Sequence, residues 1–560
     1  MYKYTLIIFI LSNLYAASPS PVFGENGMVV SSNINASKVG ISILKKGGNA
    51  IDAAVAVGFA LAVTDPGNTG LGGGGFMVSV TSEGEIFTQD HREKAPGNSK
   101  QNMFLDENNN VVEGQSLHSR SSSGVPGTVD GLINAWTDYG SGNIGLHQLL
   151  TPAIKLAEKG YKLSHTQANE LNYFKNLFSK NKAASKIFIR KDNRPWKKGD
   201  LFIQKDLAKT LKLIAKYGRD GFYKNKTADL IVNEMKKGNG LINHDDLIKY
   251  SSIYRQPVIG TFRDIEIISM GPPSSGGLLL VHMLNAIENF NIDTLGWNSA
   301  DYIHLLTEIE KRAYADRAQH LGDPDFWNNP WDMFLSKDYA KTRTIDINMK
   351  KFTPSNKVFS GSYNYEENTQ TTHYSVVDKF GNAVAVTTTL NRLYGNKHIV
   401  EGAGFFLNNE MDDFSIKPGV PNSFGLIGGQ ANAIEPYKRP LSSMTPTILM
   451  YDGMPIMTIG SPGGSQIITT VLQSILNVII HDMNIKEAVC APRFHHQWRP
   501  EDIIYIEKNA VPKEIINILK QRGHKPFIIS HIGEANGIII TNEGLYGGND
   551  CRGENSAISY

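Results

Sequence analysis

Cysteine is nearly absent: two residues in 560, Cys490 and Cys551. That excludes a disulfide scaffold and a zinc site built of cysteines alone. An excess of charge of either sign is also missing. Lys plus Arg number 56 against 54 Asp plus Glu, a formal net charge of +2, which gives no support to a nucleic-acid binder or a polybasic membrane protein. No stretch reaches the roughly 20 apolar residues that cross a bilayer. The 53 glycines follow no collagen period, and no internal repeat is present. What remains is 41% hydrophobic and 20% charged, a balance that buries a sizeable core and argues against wholesale disorder. Length allows several domains or one large globule, and the size suits an enzyme.

Residues 1–17, MYKYTLIIFILSNLYAA, have the layout of a secretory signal peptide: Lys3, an apolar centre from Leu6 to Leu11, then small Ala16 and Ala17 as the cleavage region. The alternative, a retained membrane anchor, is disfavoured because the run is too short to span. No cysteine follows it, which argues against a lipid anchor there. The expectation is an exported protein, periplasmic or secreted, without a stable membrane anchor. In such a compartment Cys490 and Cys551 either pair or sit as buried thiols, and the sequence alone inclines to unpaired.

Residues 37–46 form a helical pattern ended by Gly47, and Asn49–Val63 a second, alanine-rich one ended before Pro66. Gly70-Leu71-Gly72-Gly73-Gly74-Gly75 lacks the Gly-Lys-Ser/Thr ending of a phosphate loop and the GxGxxG spacing, so close backbone packing is the better reading. Leu207–Tyr217 and Ala300–Gln319 continue the helical pattern. Residues 346–369 are polar, poor in aliphatics and dotted with Ser, Asn and Pro, as in an exposed, loosely held segment. Directly after them, Tyr374–Val377 and Ala383–Thr389 are β-branched runs joined by a five-residue loop with Gly381, a hairpin signal.

A loop symmetric about Phe380 sets residue 377 opposite 383 and Thr371 opposite Thr389, within hydroxyl contact. Asn391 then shares their face if the strand persists. On pattern alone the pair reads as ordinary sheet packing, since threonine favours strands. Downstream, Ile468, Val471, Leu472, Ile475, Leu476, Ile479 and Ile480 make one apolar helix stripe. Gly460-Ser461-Pro462-Gly463-Gly464-Ser465 precedes it. Unpaired N–H groups at such a start, on glycines that admit a close approach, suit an oxyanion hole, although a Gly-Pro turn capping a helix explains them too.

Weaker candidates are Arg92 in Asp90-His91-Arg92-Glu93, suited to a carboxylate, and the acidic run Asn408-Asn409-Glu410-Met411-Asp412-Asp413, which suits an ammonium group, a solvated loop or a calcium site without its 12-residue pattern. Ser442 and Ser443 offer two hydroxyls. His495-His496 lacks a suitably spaced acidic partner, so a structural role outweighs a metal one. No metal and no cofactor is implied.

Taken together, these motifs resemble the γ-glutamyltranspeptidase (glutathione hydrolase) family over nearly the whole mature chain. They run in order through Glu25–Met28, Gly47–Ala50, Asp90–Pro96, Pro272–Gly277, Ala313–Arg317, Leu321–Phe326 and Thr371–Ser375, then the acidic, Ser-Ser and Gly-Gly motifs. The resemblance implies an N-terminal-nucleophile hydrolase, an α+β four-layer αββα sandwich made as one precursor. That precursor would cut itself between Gln370 and Thr371 into a large subunit (18–370) and a small one (371–560), which stay together as a heterodimer. Thr371 would then be nucleophile and, through its α-amine, base. Thr389 would orient it, and Gly463 and Gly464 would hold the oxyanion. Arg92, Ser442 and Ser443 match positions that bind the substrate α-carboxylate; Asn391, Glu410 and Asp413 match those that bind its α-ammonium. Implied substrates are γ-glutamyl compounds such as glutathione and glutamine, with water, amino acids or peptides as acceptors.

Two departures stand out. His91 replaces the Phe of many relatives, an expected change to that wall of the site. Phe424, in the lid segment 418–425, replaces a tyrosine whose hydroxyl would touch Asn391. A looser lid and a tilt toward hydrolysis are the expectation. The alternative enzyme is a glutaryl or cephalosporin-type acylase of the same fold, disfavoured because a glutaryl group has no ammonium for Glu410 and Asp413. An uncleaved binding protein is disfavoured by the intact Thr371, Thr389, Arg92 and glycine pair.

Overall fold

A computed structural model describes residues 19–358 and 371–560. The leader read at residues 1–17, Gln370 and the stretch 359–369 lie outside the described residues. Two seven-stranded sheets dominate. One runs Ser556–Ser559, Gly27–Ser31, Thr372–Asp378, Ala383–Thr389, Gly74–Val80, Ile86–His91, Ile253–Arg255. The other runs Val22–Gly24, Gly544–Asn549, Asn536–Thr541, Met454–Gly460, Thr447–Tyr451, Ile265–Ser269, Val258–Phe262.

Side-chain alternation stacks these into four layers. Successive strand residues point to opposite faces. Val29, Met77, Tyr374, Val376, Val384 and Val386 join the core under the helices Ile34–Leu44 and Ala50–Thr64. Their neighbours Met28, Val30, Phe76, Val78, Val377, Ala383 and Ala385 face the other sheet and share its core with the helices Gly276–Ile287, Ala300–His320 and Ile467–Ile479. Strands buried on both faces have no polar side to show, which is why 383–389 reads as an unbroken β-branched and small run.

The first helical layer follows from local chemistry. Asn49 caps Ala50–Thr64, accepting from Asp52 N–H at 2.9 Å while Asp52 accepts from Asn49 N–H at 3.0 Å. Every residue of that helix is buried, so its alanines let it lie close on the sheet. The glycine run is close packing as expected: a Cβ on Gly72 would stand 2.0 Å from the Phe406 carbonyl oxygen, and one on Gly73 2.0 Å from that of Thr389.

The hairpin register matches the symmetric loop, with Val377 opposite Ala383 and Thr372 opposite Thr388. Its two strands lie at the centre of their sheet, between Gly27–Ser31 and Gly74–Val80. Strands from before and after residue 371 therefore interleave.

Two expectations are corrected. Residues 346–358 are not loosely held. Ser355 N–H donates to Asp502 Oδ1 at 2.8 Å, Trp498 Nε1 reaches the carbonyls of Ser355 and Val358, and Phe352 N–H meets Arg522 O at 3.0 Å. A polar segment looks loose in sequence when its partners are backbone and buried side chains far along the chain. Second, Cys490 and Cys551 are disulfide-bonded, with Cα atoms 5.2 Å apart. Cys490 ends the helix Ile485–Cys490, which packs on the strand Gly544–Asn549 just before Cys551. The 61-residue separation hides that proximity. Closing a loop of that length stabilises by roughly 4 kcal/mol in the chain-entropy account.

Candidate active site

Antiparallel order brings one end of each central strand to the same edge of the sandwich. Thr371 precedes Thr372–Asp378, Thr389 ends its partner strand, and Arg92 follows Ile86–His91. On the facing sheet, Ser442 and Ser443 come shortly before Thr447–Tyr451, and Gly463 and Gly464 shortly after Met454–Gly460. The strand ends border a recess lined by Thr371, Thr389, Asn391, Arg92, Glu410, Asp413, Ser442, Ser443, Gly464 and Phe424, among others. A second recess, with Gly463 in its wall, opens on the other side of Thr371.

Thr371 and Thr389 are both buried, with hydroxyl oxygens 3.5 Å apart. Asn391 N–H donates to Thr389 Oγ1 at 2.8 Å, which fixes that oxygen beside Thr371. Asn391 sits at φ +71°, a left-handed conformation that asparagine tolerates. The strand has ended there, yet Asn391 still reaches the recess. Its Nδ2 is held by Asn409 O at 2.9 Å, while its buried Oδ1 has no donor among the described residues.

Gly463 and Gly464 have φ of +137° and +55°, and no acceptor meets either N–H among the described residues. The helix does not supply these N–H groups, as the sequence suggested. It begins at Ile467, after a 3₁₀ turn at Gly464–Gln466. Only glycine takes such positive φ values cheaply.

Arg92 is buried and locked. Its N–H meets Asp90 Oδ1 at 2.9 Å, its Nε Pro440 O at 3.3 Å, and its carbonyl accepts from Tyr250 OH at 2.8 Å. Nη1 pairs with Glu410 and Nη2 with Asp413, and Glu93 Oε2 lies 3.7 Å from Nη1. The groups expected to read opposite ends of a zwitterion thus pair with each other. Burial pushes the carboxyls of Glu93, Glu410 and Asp413 up, and the Arg92 charge opposes it; Glu93 rises to about 7. Arg92 goes up because its acidic neighbours outweigh its own desolvation.

Ser442 Oγ accepts from Met444 N–H at 3.1 Å. Asp412 turns away from the recess, accepting from Ser116 Oγ at 2.6 Å and Ser423 N–H at 3.0 Å. Asn408 bridges the Gly72 and Gly124 carbonyls, both at 2.8 Å. His495 contacts Thr469 and Gln497, and His496 Nδ1 accepts from Trp498 N–H. Both histidines serve the packing.

His91 does not line the recess. It packs against Gly131 of the helix Thr128–Tyr139, and burial pushes its pKa down to about 4, leaving it neutral. The segment expected to act as a lid makes contacts at Ser423 and Phe424. Phe424 is buried, with the Arg392 guanidinium 4.4 Å from its ring centre, Gln497 Nε2 3.0 Å from its carbonyl, and Arg392 Nε 3.1 Å from Ser423 Oγ. A Cβ on Gly464 would lie 2.5 Å from Phe424 Cδ1, so the ring sits directly on that glycine. The Arg392 guanidinium over the Phe424 face is a cation–π contact.

Sequence reasoning gave no role to Arg317, Glu93 or Arg392. Arg317 lay inside a quoted motif, but a lone arginine on a helix carries no local sign of facing a site 54 residues on in the chain, at Thr371.

Comparisons with known proteins extend this geometry. Residues 36–560 match the family model described as Gamma-glutamyltranspeptidase. The glutathione hydrolase proenzyme of Escherichia coli strain K12 is 46% identical over 533 residues, covering 95% of this chain and 91% of its own. The crystal structure of Helicobacter pylori gamma-glutamyltranspeptidase is 43% identical, covers 63% of this chain and 99% of that one, and has a TM-score of 0.58. Cephalosporin acylase from Bacillus halodurans superposes over 99% of both chains with a TM-score of 0.84 at 24% identity, a likeness of fold.

Proposed function

The chain belongs to the γ-glutamyltranspeptidase family, and from that premise we propose that Thr371 performs the reaction as an N-terminal nucleophile freed by self-cleavage. The fold is the four-layer αββα sandwich of N-terminal-nucleophile hydrolases, and the enzyme is a γ-glutamyltransferase and hydrolase. The observation that carries the proposal is the meeting of the Thr371 and Thr389 hydroxyls, Gly464 and the Arg92–Glu410–Asp413 cluster around one recess, with Gly463 in the wall of a second recess that Thr371 also lines.

In the precursor the Thr371 hydroxyl attacks the Gln370 carbonyl carbon, the peptide C–N bond breaks, and the acyl group moves from nitrogen to oxygen. Water hydrolyses the ester, leaving a Gln370 carboxylate and a free Thr371 amine. The products are a large subunit of residues 18–370 and a small one of 371–560. Interleaved strands hold them together after the cut. An α-amine ionises near 7.7–8.0 when unperturbed, so about neutral pH part of it is free to take the hydroxyl proton. The hydroxyl then attacks the γ-carbonyl of the donor, Gly463 and Gly464 N–H receive the oxyanion, and the proton passes to the departing amine. Water or an acceptor amine releases the γ-glutamyl group from Thr371. Arg92, Ser442 and Ser443 bind the donor α-carboxylate; Asn391, Glu410 and Asp413 bind its ammonium. Glutathione and glutamine fit as donors, amino acids and peptides as acceptors. Among the described residues no helix is long and apolar enough to cross a membrane, and the disulfide suits an exported protein.

The test compares a γ-glutamyl anilide with its glutaryl counterpart, which lacks the ammonium. The γ-glutamyl donor is expected to react at least tenfold faster in kcat/KM, the worth of one charge-assisted bond of about 1.5–3 kcal/mol. A preference for the glutaryl donor would make the chain an acylase.

A pH dependence follows. Burial raises the cluster carboxyls, Glu93 to about 7 and Glu410 and Asp413 in the same direction, so acid protonates them earlier than free carboxyls. An ammonium needs them ionised, and binding it pulls their pKa values back down. Affinity for a γ-glutamyl competitive inhibitor therefore falls as pH drops through their raised range, with proton release on binding. Inhibition constants that stay flat from about pH 5.5 to 8 would contradict this.

Asn391 Oδ1 has no donor among the described residues, and a phenylalanine at 424 offers none. Phe424→Tyr is expected to supply one and raise the ratio of transfer to hydrolysis, read as product ratio at fixed acceptor concentration. An unchanged ratio would dismiss the lid residue as its determinant.

A further inference from the structure

The recess holds a second buried guanidinium. Arg317, in the last turn of the helix Ala300–His320, lines it beside Arg92 and Thr371 and is only 4% exposed. The two cations differ in their partners. Arg92 has Glu410 and Asp413. Among the described residues no carboxylate comes within 4.0 Å of Arg317. Nε donates to Ser275 Oγ at 2.8 Å and Nη2 to Ser443 Oγ at 3.3 Å. Burial lowers its pKa to about 10, so it stays charged at neutral pH. Asp413 acts on Arg317 electrostatically but is ion-paired to Arg92, so Arg317 has no ion pair of its own, and an anion entering the recess offsets the cost of its burial.

Hydrogen-bond direction sharpens the point. Arginine only donates. Because Ser443 Oγ accepts from Arg317, the proton of that hydroxyl is left for another acceptor. Ser275, accepting from the same guanidinium, donates to Ser442 O at 2.7 Å. Ser442 Oγ already accepts from Met444 N–H, so its proton is also available. One guanidinium thus anchors the Ser442-Ser443 pair, through a side chain and through backbone, and sets both hydroxyls as donors.

We propose that Arg317 is a positioning residue for donor recognition: it orients the hydroxyls of Ser442 and Ser443 toward the donor α-carboxylate and supplies the positive charge that this carboxylate neutralises. Arg92 is then shared between the carboxylate and the acids that hold the ammonium, while Arg317 belongs to the carboxylate alone. This rests on the donor-binding reading above.

The experiment measures kcat/KM for a γ-glutamyl anilide and for the 4-aminobutyryl anilide, the same acyl chain without its α-carboxylate, in wild type, Arg317→Met and Arg317→Lys. Mass spectrometry first establishes the chain state of each variant. In wild type the γ-glutamyl donor is preferred. In Arg317→Met that preference falls about 10- to 100-fold, because only the carboxylate-bearing donor loses a charge-assisted contact. Arg317→Lys keeps the charge but cannot serve both serines from one point, so its preference lies between the two. Equal losses for both donors in Arg317→Met, or in Arg317→Lys should the methionine variant not fold, would reduce Arg317 to a structural role and overturn the proposal. A wild type that does not discriminate between the donors would instead overturn the donor-binding reading itself.

Discussion

Thr371→Ala is expected to abolish γ-glutamyl turnover, a fall of at least about 10⁴-fold in kcat, since a missing nucleophile leaves only binding and oxyanion donors to act. Two functions disappear together: the hydroxyl that attacks, and the amine that cleavage would have freed. Thr371→Ser keeps both and is expected to retain activity, slowed because the serine hydroxyl lacks the methyl group that restricts χ1 beside Thr389. Stopped assays on purified protein with a γ-glutamyl anilide decide it. Turnover by the alanine variant within tenfold of wild type would remove Thr371 from the chemistry. The fold is expected to survive, because residue 371 precedes the strand Thr372–Asp378 and contributes no ladder pair of its own.

Arg92→Met carries the second large effect, and it has two parts. Removing the guanidinium leaves Glu410 and Asp413 buried without their counter-ion, which costs about 3–5 kcal/mol of stability for a broken buried pair. It also removes a charge-assisted contact to the donor, so kcat/KM falls by roughly 10- to 150-fold or more. The parts are separable. Adding Glu410→Gln and Asp413→Asn to Arg92→Met is expected to recover much of the denaturation midpoint, because neutral amides need no cation, while turnover stays lost. Recovery of turnover alongside stability would mean that Arg92 acts only as a structural ion-pair partner.

How much of this was legible in the sequence depends on distance along the chain. The hairpin register was readable because its loop is short and its strands are local, so the approach of Thr371 to Thr389 followed from counting one step past the Thr372–Thr388 pair. The buried helix after Gly464 was readable from its stripe. Its first residue was not, because a 3₁₀ turn intervenes and glycine conformation leaves no periodic trace. The Cys490–Cys551 bond, the docking of 346–358 on Trp498 and Asp502, and the Arg392 contact on Phe424 join residues separated by long stretches of chain. Nothing local announces such contacts. Composition told only half of the story at 346–358, where most polar residues do face water but Phe352, Ser355 and Val358 anchor the segment to distant parts of the chain. The acidic run Glu410–Asp413 was legible as charge but not as a division of labour, in which Asp412 holds Ser423 of the lid while its neighbours face Arg92.

The most direct measurement is the intact mass, with N-terminal sequencing, of the purified wild-type protein. Self-cleavage predicts two polypeptides that co-purify, the smaller spanning residues 371–560 and beginning with Thr371. A single uncut chain that still turns over a γ-glutamyl donor would contradict the account, because no free Thr371 amine would then exist to serve as its base.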